Sequence, residues 1–175
     1  YGYYLPKTAF AHIVVIFDSI TGLLFVAITT GMAFAKFSRP TARILFTDKL
    51  LFTTYNGIPT LEFRAGNARS AQIVDASMTV TALLTETSTE GITLRRLHNL
   101  KLQRDKSPIF ALTWTILHTI DESSPLFELT EDQMRDQKIS FIVTCSGLED
   151  VFVQTVHARK FYRMEDLKFG GLFED

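Results

Sequence analysis

Four histidines, a single cysteine and two adjacent carboxylates are the side chains of this sequence best suited to chemistry. His98, His118 and His157 are scattered over separate strands or turns, and His12 lies at the edge of a long apolar run. None has the HxxxH or HExxH spacing that turns two imidazoles toward one metal, so each reads as a structural histidine. Cys145 stands alone, which excludes an intramolecular disulfide and any metal site built from clustered cysteines. It sits in an alternating apolar run and reads as a core residue. Asp121 and Glu122 precede Ser123-Ser124-Pro125. Neighbouring residues of a strand point to opposite faces, so this pair is poorly placed for acid–base work and reads as turn-stabilising. A GxSxG elbow and a phosphate-binding glycine loop are both absent. The sequence does not read as an enzyme and shows no cofactor site.

Asp18 is the exception, because of where it stands. From Ile13 to Ala35 the chain is mostly apolar, and Asp18 is its one charge. At about 1.5 Å per residue such a helix reaches roughly 35 Å, enough to cross a bilayer of about 30 Å with some tilt. The other polar interruptions are Ser19, Thr21, Thr29 and Thr30, whose hydroxyls can bond carbonyls of the preceding turn. A carboxylate near the middle of a span costs several kcal/mol against lipid, so it must face protein or water. One span has no interior, so such a charge calls for an oligomer around a wet axis. Steps of four from Asp18 reach Gly22, Val26, Thr30 and Phe34, one slowly drifting stripe. If Asp18 faces a pore, Phe34 faces it near the far mouth, where an apolar ring closes by excluding water. Lys36, Arg39, Arg43 and Lys49 follow the span and place that end in the cytoplasm. Basic residues there also attract anionic lipid head groups, at about 1 kcal/mol each. Pro40 ends the helix.

The 175 residues leave room for one span and a soluble domain of about 130 residues. A formal net charge of −1 gives no support to nucleic-acid binding. After a linker over 38–43, residues 44–175 read as strands: Leu50–Tyr55, Thr60–Arg64, Ile73–Thr85, Ile92–Leu97, Ile109–Leu112, Trp114–Ile120, Ile139–Cys145 and Val151–Tyr162. Asn56-Gly57 marks a hairpin turn between the first two. In Ile73–Thr85, Val74, Ala76, Met78, Val80, Ala82 and Leu84 fall on one face, and Asp75, Ser77, Thr79 and Thr81 on the other. Thr130 and Gln133 have the spacing of a capping box, which predicts a short helix over Glu131–Gln137. Many short strands with frequent turns predict a β-sandwich.

Several segments taken together are similar to the bacterial branch of the inward-rectifier potassium channels. Tyr1-Gly2-Tyr3-Tyr4-Leu5-Pro6-Lys7-Thr8-Ala9-Phe10-Ala11-His12 resembles the end of a potassium selectivity filter and the start of an inner helix. Ala35-Lys36-Phe37-Ser38-Arg39-Pro40 resembles the junction of that helix with the cytoplasmic domain. Phe63-Arg64-Ala65-Gly66-Asn67-Ala68-Arg69 and His118-Thr119-Ile120-Asp121-Glu122-Ser123-Ser124-Pro125-Leu126 resemble further family segments, and Phe169-Gly170-Gly171-Leu172-Phe173-Glu174-Asp175 resembles a variant of the family's last strand, all in the family's order.

The resemblance implies the end of a selectivity filter and a transmembrane inner helix over 1–37, followed by an immunoglobulin-like cytoplasmic β-sandwich. It implies a homotetramer in a cell membrane that conducts K+ passively, with K+ held by the backbone of Tyr1 and Gly2. Asp18, Val26 and Thr30 would line the pore, and Phe34 would gate it. Val26 replaces the acidic residue that holds Mg2+ or polyamine in strongly rectifying members, leaving Asp18 as a partial substitute. Lys36, Arg39 and Arg43 would contact anionic lipid, phosphoinositide included. Asp75 would line the cytoplasmic vestibule; a second acidic position falls on Ser146, with Asp150 to compensate. On this reading the chain is a fragment without the outer helix and pore helix of its parent. The alternative is a single-pass, membrane-anchored β-sandwich that binds a protein partner.

Overall fold

The computed structural model describes residues 5–37, 43–151 and 153–173. They fall into two compact units, divided between Pro40 and Thr41. Tyr1, Gly2 and Arg39, and most of the 38–43 linker, lie outside the described residues.

The first unit is one helix, α1 (Ala9–Phe37). It starts a full turn before the apolar run does. Thr8 Oγ1 accepts from Ala11 N at 3.2 Å, capping one of the amides that the first turn leaves unpaired. Thr21 Oγ1 donates to Phe17 O at 2.8 Å, the local bond that lets a hydroxyl sit in an apolar helix. No residue of α1 is buried. The helix is long and apolar enough to cross a membrane.

The second unit is a β-sandwich. Its first sheet contains β1 (Ile44–Phe46), β2 (Leu50–Tyr55), β3 (Ile58–Asn67), β7 (Thr113–Thr119) and β10 (Leu167–Phe169). Its second contains β4 (Ile73–Thr87), β5 (Thr93–Leu100), β6 (Lys106–Phe110), β8 (Ser140–Glu149) and β9 (Gln154–Tyr162). All described pairings are antiparallel except β10 on β2. The short helix α2 (Glu131–Asp136) leads into β8. The sheets close over Leu61, Phe63 and Ile116 from one side and Met78, Val80, Phe141, Val143 and Tyr162 from the other. Phe63 and Tyr162 meet across this layer with ring centroids 6.2 Å apart.

The local signals act as expected in several places. Asn56 and Gly57 have φ of 52° and 81°, the left-handed pair that a two-residue hairpin needs. Thr130 and Gln133 form the reciprocal capping box. Cys145 is fully buried, and burial pushes its thiol up to about 11.

Other expectations are corrected. β6 covers Lys106–Phe110, not Ile109–Leu112, and includes Pro108; among the described residues it pairs only with β4, and an edge strand tolerates a missing N–H. β9 begins at Gln154 rather than Val151: Glu149 pairs with Gln154, and Val153 just before it has φ 52°. The alternation of β4 breaks near its start. Ile73 and Ala76 are both buried, Val74 is only half-buried, and the register with β8 shifts between Val74 and Ser77. Val74 therefore leaves the core face on which strict alternation placed it. A bulge adds one residue and changes the phase of the strand.

Candidate ion pathway

On α1, Asp18, Val26, Thr30 and Phe34 are all exposed, Phe34 at 72% and Val26 at 60%. A methyl group placed on Gly22 or Gly31 would meet no atom within 4 Å, so neither glycine is required by packing inside this chain. Lys36 occupies the last turn. Arg43 is exposed just before β1, and its carbonyl accepts from Ala68 N at 2.9 Å, tying the start of the sandwich to the end of β3.

Asp75 stands at the β4 bulge with φ 49° and an exposed side chain. The bulge exists where β8 offers no side chain. A Cβ on Gly147 would overlap Ile73 Cγ2 and lie 3.1 Å from both Ala76 Cα and Val74 O. Glycine at 147 thus admits the backbone that turns Asp75 outward. Ser146 pairs with Ser77 on the same outward face. Asp150 is exposed, and its Oδ1 accepts from Gln72 N at 3.0 Å while Asp150 N donates to Gln72 O at 3.1 Å. Part of its hydrogen-bonding capacity is therefore used to close the β4–β8 end of the sheet.

The motif residues of the sandwich are largely structural. Asn67 Nδ2 donates to Ala71 O at 2.7 Å and Phe110 O at 3.2 Å, while its Oδ1 accepts from Arg69 N at 3.1 Å. One side chain thereby fixes the β3–β4 turn against the end of β6. His118 is 3% exposed and engaged at both ring nitrogens, Nδ1 with Lys101 O and Nε2 with Ser124 Oγ, each at 2.8 Å. A carbonyl only accepts, so Nδ1 carries the proton and Ser124 donates to Nε2. Desolvation lowers the pKa of His118, against smaller upward contributions from the Lys101 carbonyl and Asp121. Asp121 accepts from the Ser123 hydroxyl at 2.6 Å and the Ser123 amide at 2.9 Å, and these bonds lower its pKa. Both residues have the structural and turn roles expected of them. Among the described residues, no group of three or more His, Cys, Asp or Glu is placed to hold a metal.

The chain end also packs onto the first sheet. Phe169 stacks on Phe52 with centroids 4.8 Å apart, and Gly170 N donates to Phe52 O at 2.8 Å. Gly170 and Gly171 have φ of 76° and 96°, which permits the reversal that sets Phe173 under the Arg64 guanidinium at 5.4 Å. This clasp carries no local sequence signal beyond the paired glycines.

Residues 44–175 match the family model described as the inward rectifier potassium channel C-terminal domain. The chain belongs to this family. It is 37% identical over 175 residues to the inward rectifier potassium channel Kirbac3.1 of Paramagnetospirillum magnetotacticum, a match covering 100% of this chain and 59% of the relative. It is 27% identical over 180 residues to the G protein-activated inward rectifier potassium channel 1 of Bos taurus and, to the same degree, of Homo sapiens; each match covers 99% of this chain and 36% of the relative. The chain thus spans between about one third and three fifths of the length of these curated relatives. The family named by the model is one of ion channels, and the β-sandwich is the part of the chain that the model covers. The matches to the relatives extend through α1 as well, over the whole stripe from Asp18 to Phe34.

Proposed function

We propose that this chain is the inner helix and cytoplasmic domain of a pore-forming potassium-channel subunit of the inward-rectifier type. K+ passes down its electrochemical gradient, and no bond is made or broken. The observation that carries the reading is Asp18: an exposed carboxylate, the one charge between Ile13 and Ala35 of a mostly apolar helix. Membership of the channel family supports it.

In the proposed assembly four copies of α1 surround a hydrated axis, which gives the carboxylate water and the opposite face lipid or neighbouring helices. Val26 and Thr30 line the same path, and four Phe34 rings close it by dewetting. Opening requires the helices to splay or bend, at Gly22 or Gly31, where helix propensity is weakest. Lys36, Arg39 and Arg43 hold anionic lipid at the membrane surface and couple the domain to that movement. Tyr1 and Gly2 contribute the last carbonyls of the selectivity filter. Asp75 supplies the vestibule charge that concentrates cations, with Asp150 a weaker contributor because it also caps Gln72. Asp18 is the position at which Mg2+ or a polyamine would block, weakly because Val26 adds no charge.

The full protein containing this chain, reconstituted in liposomes, tests the proposal. Potassium-selective flux blocked by barium is expected, and no flux in any of several lipid compositions would leave a membrane-anchored interaction domain as the better account.

A further inference from the structure

A groove of about 480 Å³ opens on the second sheet at its α2 end. Its size lies within the roughly 300–1,000 Å³ typical of small-molecule sites. Its walls come from four places: Arg95 of β5, Arg135 and Lys138 from and just after α2, Phe161 of β9, and Arg163 to Glu165 beyond it. Four of these side chains are cationic and one is acidic, in a chain whose overall charge is −1.

The cations are not equivalent. Arg135 pairs with Glu131 one turn back on α2, and Arg163 lies 3.7 Å from Glu165. Arg95 donates through Nη2 to Lys138 O at 3.1 Å and to Ser140 Oγ at 3.3 Å. These partners are neutral, so they orient the guanidinium without cancelling its charge. Lys138 has φ 50°, and this left-handed turn presents its carbonyl to Arg95. The Lys138 ammonium has no ion-pair partner among the described residues. Two cations without an ion-pair partner among the described residues therefore line the groove, one of them held in place.

Beside them is an apolar wall. Phe161 is 45% exposed on the outward face of β9, opposite Ile142 of β8, with Met164 next to it in the groove. A large aromatic ring left open to water beside fixed positive charge suits a ligand with an apolar body and an anionic head. A guanidinium held by neutral acceptors keeps its remaining N–H groups for the oxygens of a phosphate.

We propose that this groove is a binding site for a small soluble phosphate monoester carried on an aromatic or aliphatic body. Arg95 and Lys138 hold the phosphate, and Phe161 packs against the body. The site is built within the β-sandwich and does not depend on the conduction reading; binding without flux, or flux without binding, separates the two.

The test uses the full chain in detergent, titrated calorimetrically with naphthyl phosphate, inorganic phosphate and uncharged naphthol. Naphthyl phosphate is expected to bind saturably, about tenfold tighter than either fragment of it, and more weakly as salt is raised. Lys138→Gln is an exposed change that leaves its carbonyl on Arg95, and it should weaken naphthyl phosphate about tenfold. Phe161→Ala should reduce naphthyl phosphate to the affinity of inorganic phosphate. Lys101→Gln, a cation outside the groove, should change neither. Absence of saturable binding, or equal affinity in the Lys138 and Phe161 variants and the parent, would overturn the proposal. Displacement of naphthyl phosphate by phosphatidic-acid vesicles, but not by excess soluble hexyl phosphate, would assign the groove to a lipid head group and overturn it as stated.

Discussion

His118 shows how a residue that invites a catalytic reading is consumed by the fold. Its ring links Lys101 O to Ser124 Oγ, and the same hydroxyl accepts from Leu126 N at 3.2 Å. His118→Ala would leave these buried groups unpaired and open a cavity, at a cost of about 2–3 kcal/mol in chemical unfolding of the domain. The pH dependence has a definite sign. Because burial lowers the folded-state pKa below the ordinary 6.5, the unfolded chain takes up its proton first as pH falls. The contribution of neutral His118 is complete above about pH 6.5 and declines as pH drops from there toward the lowered value. Thermal melts at pH 7.5 and 5.5 should show a loss of stability in the parent that is reduced in His118→Gln. The absence of HExxH spacing disfavours a metal role at the level of sequence, but the two partners come from segments that only the tertiary fold brings to the ring.

At the scale of elements, legibility follows the range of the interaction. Asn56-Gly57 and Thr130-Gln133 define their turn and their cap through neighbours in sequence, so their roles could be read directly. Thr130→Ala should destabilise the domain by about 1 kcal/mol through loss of the α2 cap. The bulge of β4 could not be read in this way. Its cause is Gly147, on a different strand, where the missing side chain lets β4 crowd in. Gly147→Ala should cost about 1–3 kcal/mol by overpacking, measured by denaturant unfolding, with a shift of the amide signals around Asp75. β1 shows no strand pattern because three residues are too few for alternation, and the last strand, β10, is suggested only by the family resemblance of the segment from Phe169. Contact between Arg95 and Lys138 spans 43 positions and leaves no spacing to detect.

For the molecule as a whole, the sequence separates cleanly into a greasy helix and an alternating sandwich, and Asp18 connects the first to an assembly. How the copies of the proposed assembly would share that charge has no signature in the sequence, since a partner on another copy leaves none in this one. The proposed pore gives the stripe two distinct functional outcomes. Phe34→Ala should leave the closed channel leaky, by at least about tenfold in resting flux, because a small ring of methyls no longer expels water. Asp18→Asn should weaken Mg2+ and polyamine block while preserving folding of the sandwich, which can be checked by its melting profile.

The most direct test is aqueous access to position 18 in the reconstituted full protein. Within this chain the single cysteine, Cys145, is buried and its thiol is pushed up to about 11, so it should contribute little background. An Asp18→Cys variant should react with a charged, membrane-impermeant thiosulfonate on the open channel, and potassium flux should fall as it reacts. An unreactive thiol at position 18 under conditions of potassium flux, or full reaction with no change in flux, would contradict a hydrated axis lined by this helix.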